Sequence, residues 1–222
     1  MDPLDLSGKN AIVLGVANHR SIAWGIAREL SARGARLALT YQGERFKGTL
    51  EKLSVEAGLV DPVLIPLDVN DDAQLDACFV TLKDAMGGLD MLAHCVAYAR
   101  REDLEGDFRD TDREGFRIAV ETSAYSLLAL ARRATPLMQG RNAAMIALSY
   151  LAAEHEHGNR GLGALREREW HVLRVRCGEE PVGRAADLER RVARHGLVFP
   201  EPRAEALDEE LFRAVRSQWG HA

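Results

Sequence analysis

Leu6-Ser-Gly-Lys-Asn-Ala-Ile-Val-Leu-Gly-Val-Ala-Asn-His-Arg-Ser-Ile-Ala-Trp-Gly-Ile-Ala27 decides how this chain is read. Asn10 to Leu14 is a short apolar run of the kind that forms a strand buried on both faces. Gly15 follows it directly. From Ser21 to Arg33, apolar side chains stand at positions 22, 23, 26, 27 and 30, the period of an amphipathic helix, and Gly34 supplies a stop. A strand, a glycine turn and a helix whose first residues are small form the opening of a βα unit. The flexible glycine lets the chain turn sharply, small side chains let the backbone approach a ligand, and the amides of the helix start meet an anion. These residues fit two readings, a seat for the pyrophosphate of a dinucleotide or an ordinary βα turn, since the Gly-x-Gly-x-x-Gly spacing itself is absent.

The same alternation continues outward. Arg36–Thr40, Val63–Leu67, Met91–Val96 and Ala143–Leu148 read as further strands. Between them Glu44–Glu56 and a segment capped by Asn70 and running to about Met86 read as helices. Thr111-Asp-Arg-Glu114 has the form of a capping box and predicts another helix start. The stretch Phe116–Met138 is apolar over more than one face, which predicts a long helix buried against the sheet and against a partner subunit. Strands alternating with helices define an α/β fold, a Rossmann-like doubly wound parallel sheet.

After Glu154 the character changes. Residues 155–222 hold twelve arginines and twelve acidic residues. Leu173, Val175 and Cys177 alternate with Arg174 and Arg176 as in a half-exposed strand, and Ala185–His195 and Ala204–Trp219 read as two helices. The expected organisation is a nucleotide-binding unit over 1–154, with 155–222 a divergent Arg-rich segment packing on it.

Composition bounds the partners. The chain of 222 residues is 46% apolar and carries a net charge of −5, a balance that disfavours nucleic acid. No apolar run approaches the ~20 residues of a membrane helix, and the acidic N-terminus shows no signal peptide. Cys78, Cys95 and Cys177 are odd in number and widely spaced, which fits free thiols in the cytoplasm. Cys95 reads as a small buried filler, and His94, inside a strand, as a core or interface histidine. His155-Glu-His157 lacks helical spacing and a third ligand, so no metal is expected. Arg100-Arg101, followed by four acidic residues, reads as a solvated loop.

Taken whole, the opening segment closely resembles the start of the NADH-dependent enoyl-acyl-carrier-protein reductases, a branch of the short-chain dehydrogenase/reductase superfamily. Leu39-Thr-Tyr-Gln42, Leu67-Asp-Val69, His94-Cys-Val-Ala97, Arg113-Glu-Gly-Phe-Arg117, Ser123-Ala-Tyr-Ser126 and Leu148-Ser-Tyr-Leu151 extend the resemblance over about residues 5–154. The resemblance implies that Gly15, Ser21 and Ile22 hold the pyrophosphate and that Gln42 meets the adenosine ribose. Asp68 and Val69 would flank the adenine, Val96 would line the nicotinamide side, and Ala99 would lie near the acyl substrate. It further implies NADH as cofactor, an enoyl chain on acyl carrier protein as substrate, a homo-oligomer, and a role in fatty-acid biosynthesis. Arg45 and Lys47, near Gln42, leave NADPH as an alternative.

Tyr150 matches the family's tyrosine in the Ser-Tyr-Leu step. The catalytic tyrosine and lysine that follow in the family fall, counted without gaps, on Arg160 and Glu167. No tyrosine lies beyond 150 and no lysine beyond Lys83. Two readings therefore stand: an enoyl reductase using Tyr150, or an NAD(H)-binding, dimerising module without turnover.

Overall fold

The computed structural model describes residues 5–105 and 108–150 and the backbone of 170–176; of Phe108, Ser149 and Tyr150 only the backbone is described. Five strands, β1 (Asn10–Leu14), β2 (Arg36–Tyr41), β3 (Val63–Pro66), β4 (Met91–His94) and β5 (Ala144–Tyr150), lie parallel in the order β3-β2-β1-β4-β5. The strand β6 (Trp170–Arg176) pairs antiparallel with β5. The strand expected in the C-terminal segment is thus present, three residues earlier than its alternation suggested. The two helices expected at 185–195 and 204–219 lie outside the described residues, as do Arg160 and Glu167.

Helices α1 (Ile22–Ala32) and α2 (Glu44–Glu56) cover one face of the sheet, α3 (Asp72–Met86) and α5 (Ser126–Met138) the other, and α4 (Arg113–Val120) leads into α5. The core is accordingly double. Ala11, Val13, Leu37 and Leu39 meet Trp24, Ala27, Leu30 and Leu50 on the first face. Ile12, Leu14, Ala38 and Leu92 meet Leu75, Phe79, Leu82, Leu130 and Met138 on the second. Alternate residues of one strand feeding opposite cores is what a strand with no polar face must do.

Several boundaries differ from the sequence expectation. Asp71, not Asn70, caps α3: its carboxylate accepts from the Ala73 and Gln74 amides at 2.9 and 3.1 Å. Asp112, not Thr111, caps α4 through the Gly115 amide, and Glu114 pairs with Arg117 instead of closing a capping box. The long helix is two α-helices joined by a π-helical turn, Glu121–Tyr125. Phe116, Val120, Tyr125 and Leu128 along it are exposed in the single chain. Strand β4 ends at His94, two residues short of the expected Val96.

At the N-terminal rim of the sheet a polar clamp ties three strands. Asp90, 5% exposed, accepts from the Asn10 amide at 2.9 Å, Arg141 Nη2 at 2.9 Å and Lys9 Nζ at 3.3 Å. Its own amide donates to the Asn10 carbonyl, and its carbonyl accepts from Ala144.

Candidate dinucleotide site

The site follows from strand order. Strand order reverses between the parallel neighbours β1 and β4, whose outgoing connections lead to opposite faces of the sheet, so a crevice opens at their C-terminal ends. Gly15 leaves β1 with φ +92°, and a Cβ there would sit 2.0 Å from the Cys95 carbonyl oxygen. Only glycine allows the two loops to meet so closely. The Ser21 hydroxyl donates to the Asn18 carbonyl at 2.7 Å and gives α1 no side-chain cap. Trp24 N–H donates to the Ser21 carbonyl at 3.0 Å, which leaves the Ile22 and Ala23 amides of the first turn with capacity to receive an anion. His94 and Cys95 stand behind this turn.

Gln42 and Asp68 are brought together at the ends of β2 and β3, Gln42 Nε2 donating to Asp68 Oδ2 at 2.8 Å. The other carboxylate oxygen accepts from the Asn70 amide at 2.9 Å, and the Asp68 amide donates to Gln74 Oε1 at 2.9 Å. A carboxylate held by one hydrogen bond on each oxygen, on a residue whose amide is also tied down, is an oriented acceptor for an exocyclic amine. Val69 and Val96 are half-buried against the second core. Ala99 lies on the segment leaving β4, and Tyr150 ends β5. Gly15, Ser21, Ile22, Gln42, Asp68, Val69, Val96 and Ala99 thus all follow the C-terminal ends of strands or open the helix after one. The same rim receives the backbone of Tyr150.

His94 is a core histidine. It is 2% exposed, and its Nε2 lies 2.8 Å from Ser126 Oγ, whose own proton goes to the Thr122 carbonyl at 2.6 Å. The ring nitrogen is therefore assigned as the donor. Burial pushes the imidazole down to about 4, so it stays neutral at neutral pH. A depressed histidine stabilises the fold above its unfolded value and loses that stability as pH falls. Between pH 6.5 and about 4 the fold is expected to lose about 3 kcal/mol. His94→Gln keeps a donor near Ser126 and should flatten that part of a melting temperature–pH profile. An unchanged profile would refute the assignment.

Burial pushes the Cys95 thiol up to about 12, which suits a filler and not a nucleophile. Arg100 departs from the solvated-loop expectation. Its guanidinium grips Asp103 with Nε and Nη2 at 2.7 and 3.0 Å and Asp112 with Nη2 at 2.9 Å. Gly115 faces this cluster, where a Cβ would lie 2.2 Å from the Asp103 carboxylate. Arg101 is the solvated one of the pair. Sequence reasoning gave no site role to Thr122, Ser123 or Ser126. Their signal was a run of hydroxyl residues interrupting an otherwise apolar helix.

Strand order, switch-point crevice and glycine turn define a Rossmann-like α/β protein, a fold whose ligands bind at such a switch point. The family model described as Enoyl-(Acyl carrier protein) reductase matches residues 15–164, and the chain belongs to that family. It is 42% identical over 149 residues to the enoyl-acyl-carrier-protein reductase (NADH) FabI of Bacillus subtilis strain 168, covering 67% of this chain and 57% of that protein. Among solved structures, it matches the Bacillus cereus enoyl-acyl-carrier-protein reductase with NADP+ and indole naphthyridinone. The TM-score is 0.67 at 42% identity, over 72% of this chain and 62% of that one. The reductase of Anaplasma phagocytophilum in complex with NAD gives a TM-score of 0.64 at 37% identity, over 68% and 56% of the two chains. The chain spans under two thirds of the length of these relatives. Among the described residues no helix is long and apolar enough to cross a membrane.

Proposed function

We propose that this chain binds NADH across the β1–β4 crevice and reduces a trans-2-enoyl thioester carried on acyl carrier protein, a step of fatty-acid biosynthesis in the cytoplasm. Family membership gives the reaction class. The observation that carries the cofactor reading is the Gly15 turn, closed on the Cys95 carbonyl and followed by an uncapped helix. Residues 1–154 form the binding unit in this reading, and the Arg-rich residues 155–222 lie outside it.

Gly15, Ser21 and Ile22 hold the pyrophosphate, Gln42 the ribose, and Asp68 and Val69 the adenine; Val96 borders the nicotinamide and Ala99 the acyl chain. NADH, when bound, supplies the hydride that adds to the β carbon. Charge then develops on the thioester oxygen, and a donor waiting there lowers the barrier because it is already oriented. Tyr150, at the end of β5, is that donor, and the α carbon takes its proton from solvent. His94, buried next to Cys95 and bonded to Ser126, stays neutral at neutral pH.

One observation favours a second reading, a module that binds NAD(H) without turnover: no tyrosine follows Tyr150 and no lysine follows Lys83. NADH absorbance with a crotonyl thioester separates the two. Steady loss that falls by roughly 10²–10³-fold in Tyr150→Phe supports the reductase. Fluorescence titration with NADH but no turnover supports the module, and no titration at all overturns both.

The exposed Phe116, Val120, Tyr125 and Leu128 along α4–α5 support self-association through this helix. Light scattering should report a dimer or larger; a monomer at micromolar concentration refutes it.

A further inference from the structure

The π-helical turn Glu121–Tyr125 does more than connect α4 to α5. Thr122, 8% exposed, meets the Asn70 side chain, whose Nδ2 donates to Thr122 Oγ1 at 3.1 Å. Asn70 is the residue whose amide fixes Asp68, which in turn receives Gln42. One residue further on, Ser123 Oγ accepts from the Tyr98 amide at 3.0 Å and donates to the Tyr98 carbonyl at 3.2 Å. A single hydroxyl thus satisfies both main-chain groups of a residue that has left the sheet and that lies between Val96 and Ala99. Ser126, just after the turn, fixes the His94 ring and closes the turn on the Thr122 carbonyl.

An α-helical path would carry neighbouring side chains about 100° apart, and π geometry widens each turn by a residue, which is why such turns are found where side chains must be aimed. Here the aimed groups are hydroxyls, and their partners sit on two different strand exits. Neither hydroxyl is needed to satisfy its own helix.

We infer that the π-turn positions the two halves of the cofactor crevice separately, Thr122 holding the β3 exit through Asn70 and Ser123 holding the β4 exit through the Tyr98 main chain. Thr122 and Ser123 are positioning residues: they act on Asp68 and on the Val96–Ala99 segment. The inference rests on the cofactor reading proposed above. It adds that the adenosine half and the nicotinamide half are set by adjacent residues with independent effects.

The test uses the full chain and two conservative pairs, Thr122→Val with Thr122→Ser, and Ser123→Ala with Ser123→Thr. Calorimetry measures NADH and adenosine monophosphate, and hydrogen–deuterium exchange follows the segments containing Asn70 and Tyr98. Losing one oriented hydroxyl should weaken a dependent ligand by about tenfold. Thr122→Val is expected to weaken both ligands and speed exchange near Asn70 only. Ser123→Ala is expected to weaken NADH, spare adenosine monophosphate and speed exchange near Tyr98 only. Thr122→Ser and Ser123→Thr should restore each pattern. If the parent chain binds the ligands but both variants behave alike, or neither differs from the parent, the inference is overturned. If the parent chain binds neither ligand, the cofactor reading fails and exchange decides alone: selective loosening at each exit supports separate positioning, and its absence overturns it.

Discussion

Gly15→Ala is expected to abolish measurable NADH binding and to cost the fold about 3–5 kcal/mol. Two penalties coincide at this position. At φ +92° any L side chain is strained, and the new methyl would stand 2.0 Å from the Cys95 carbonyl oxygen. Backbone cannot rotate away as a side chain can, so the β1 and β4 exits must separate. That separation opens the place where the crevice is tightest. Gly43 is the internal control, with φ +81° and nothing within 4 Å of the point a methyl would occupy. Gly43→Ala meets the strain alone, about 1–2 kcal/mol. Urea denaturation of both variants checks the difference; equal losses would show that the contact with Cys95 carries no weight.

The second large effect lies at the opposite rim. Asp90→Ala is expected to destabilise by about 3–5 kcal/mol, since removing one partner of a buried ion pair strands the others. Arg141 Nε is already buried with no hydrogen-bond partner among the described residues, so its guanidinium depends on the Asp90 contact. Burial raises the Asp90 carboxyl. The Arg141 hydrogen bond, the Asn10 amide and the charges of Lys9 and Arg141 outweigh burial and hold it below the ordinary carboxylate range. A depressed carboxylate gives stability that is present above its unfolded value, 3.8, and is lost as pH falls through the folded one. Acid unfolding of the parent chain should therefore steepen below pH 3.8, and Asp90→Ala should lack that limb. Because Asp90 is far from the crevice along the strands, the folded fraction of the variant should keep its NADH affinity. A variant that stays fully folded but loses NADH would contradict this division of labour between the rims.

The strands were legible because fully apolar runs such as Asn10–Leu14 have few alternatives. Helix α2 was legible to the residue. The ends were harder, for physical reasons. Asn70 and Asp71 are both good caps, and only the Ala73 and Gln74 amides choose between them. Apolar character continues through Cys95 and Val96, while β4 stops at His94, so the apolar run alone overshoots the strand. The convergence of Gly15, Ser21, Ile22, Gln42, Asp68, Val69, Val96 and Ala99 on one rim follows from strand direction and was readable once the strands were placed. The Asp90 clamp was not readable, since Arg141 reaches it from 51 residues away. The π-turn was hidden too: an apolar period drawn over Phe116–Met138 absorbs one extra residue without showing it.

Because the π-turn Glu121–Tyr125 holds one residue more than an α-helical turn, deleting one there lets the helix close as regular α with α5 still in phase, whereas deleting one from the first turn of α5 re-phases everything after it by about 100°. Ala129, Leu130, Ala134 and Met138, all now inside, would swing toward solvent. In a library of single-residue deletions, those within Glu121–Tyr125 should therefore be better tolerated, at the cost of the Thr122 and Ser123 contacts, than those in the first turn of α5.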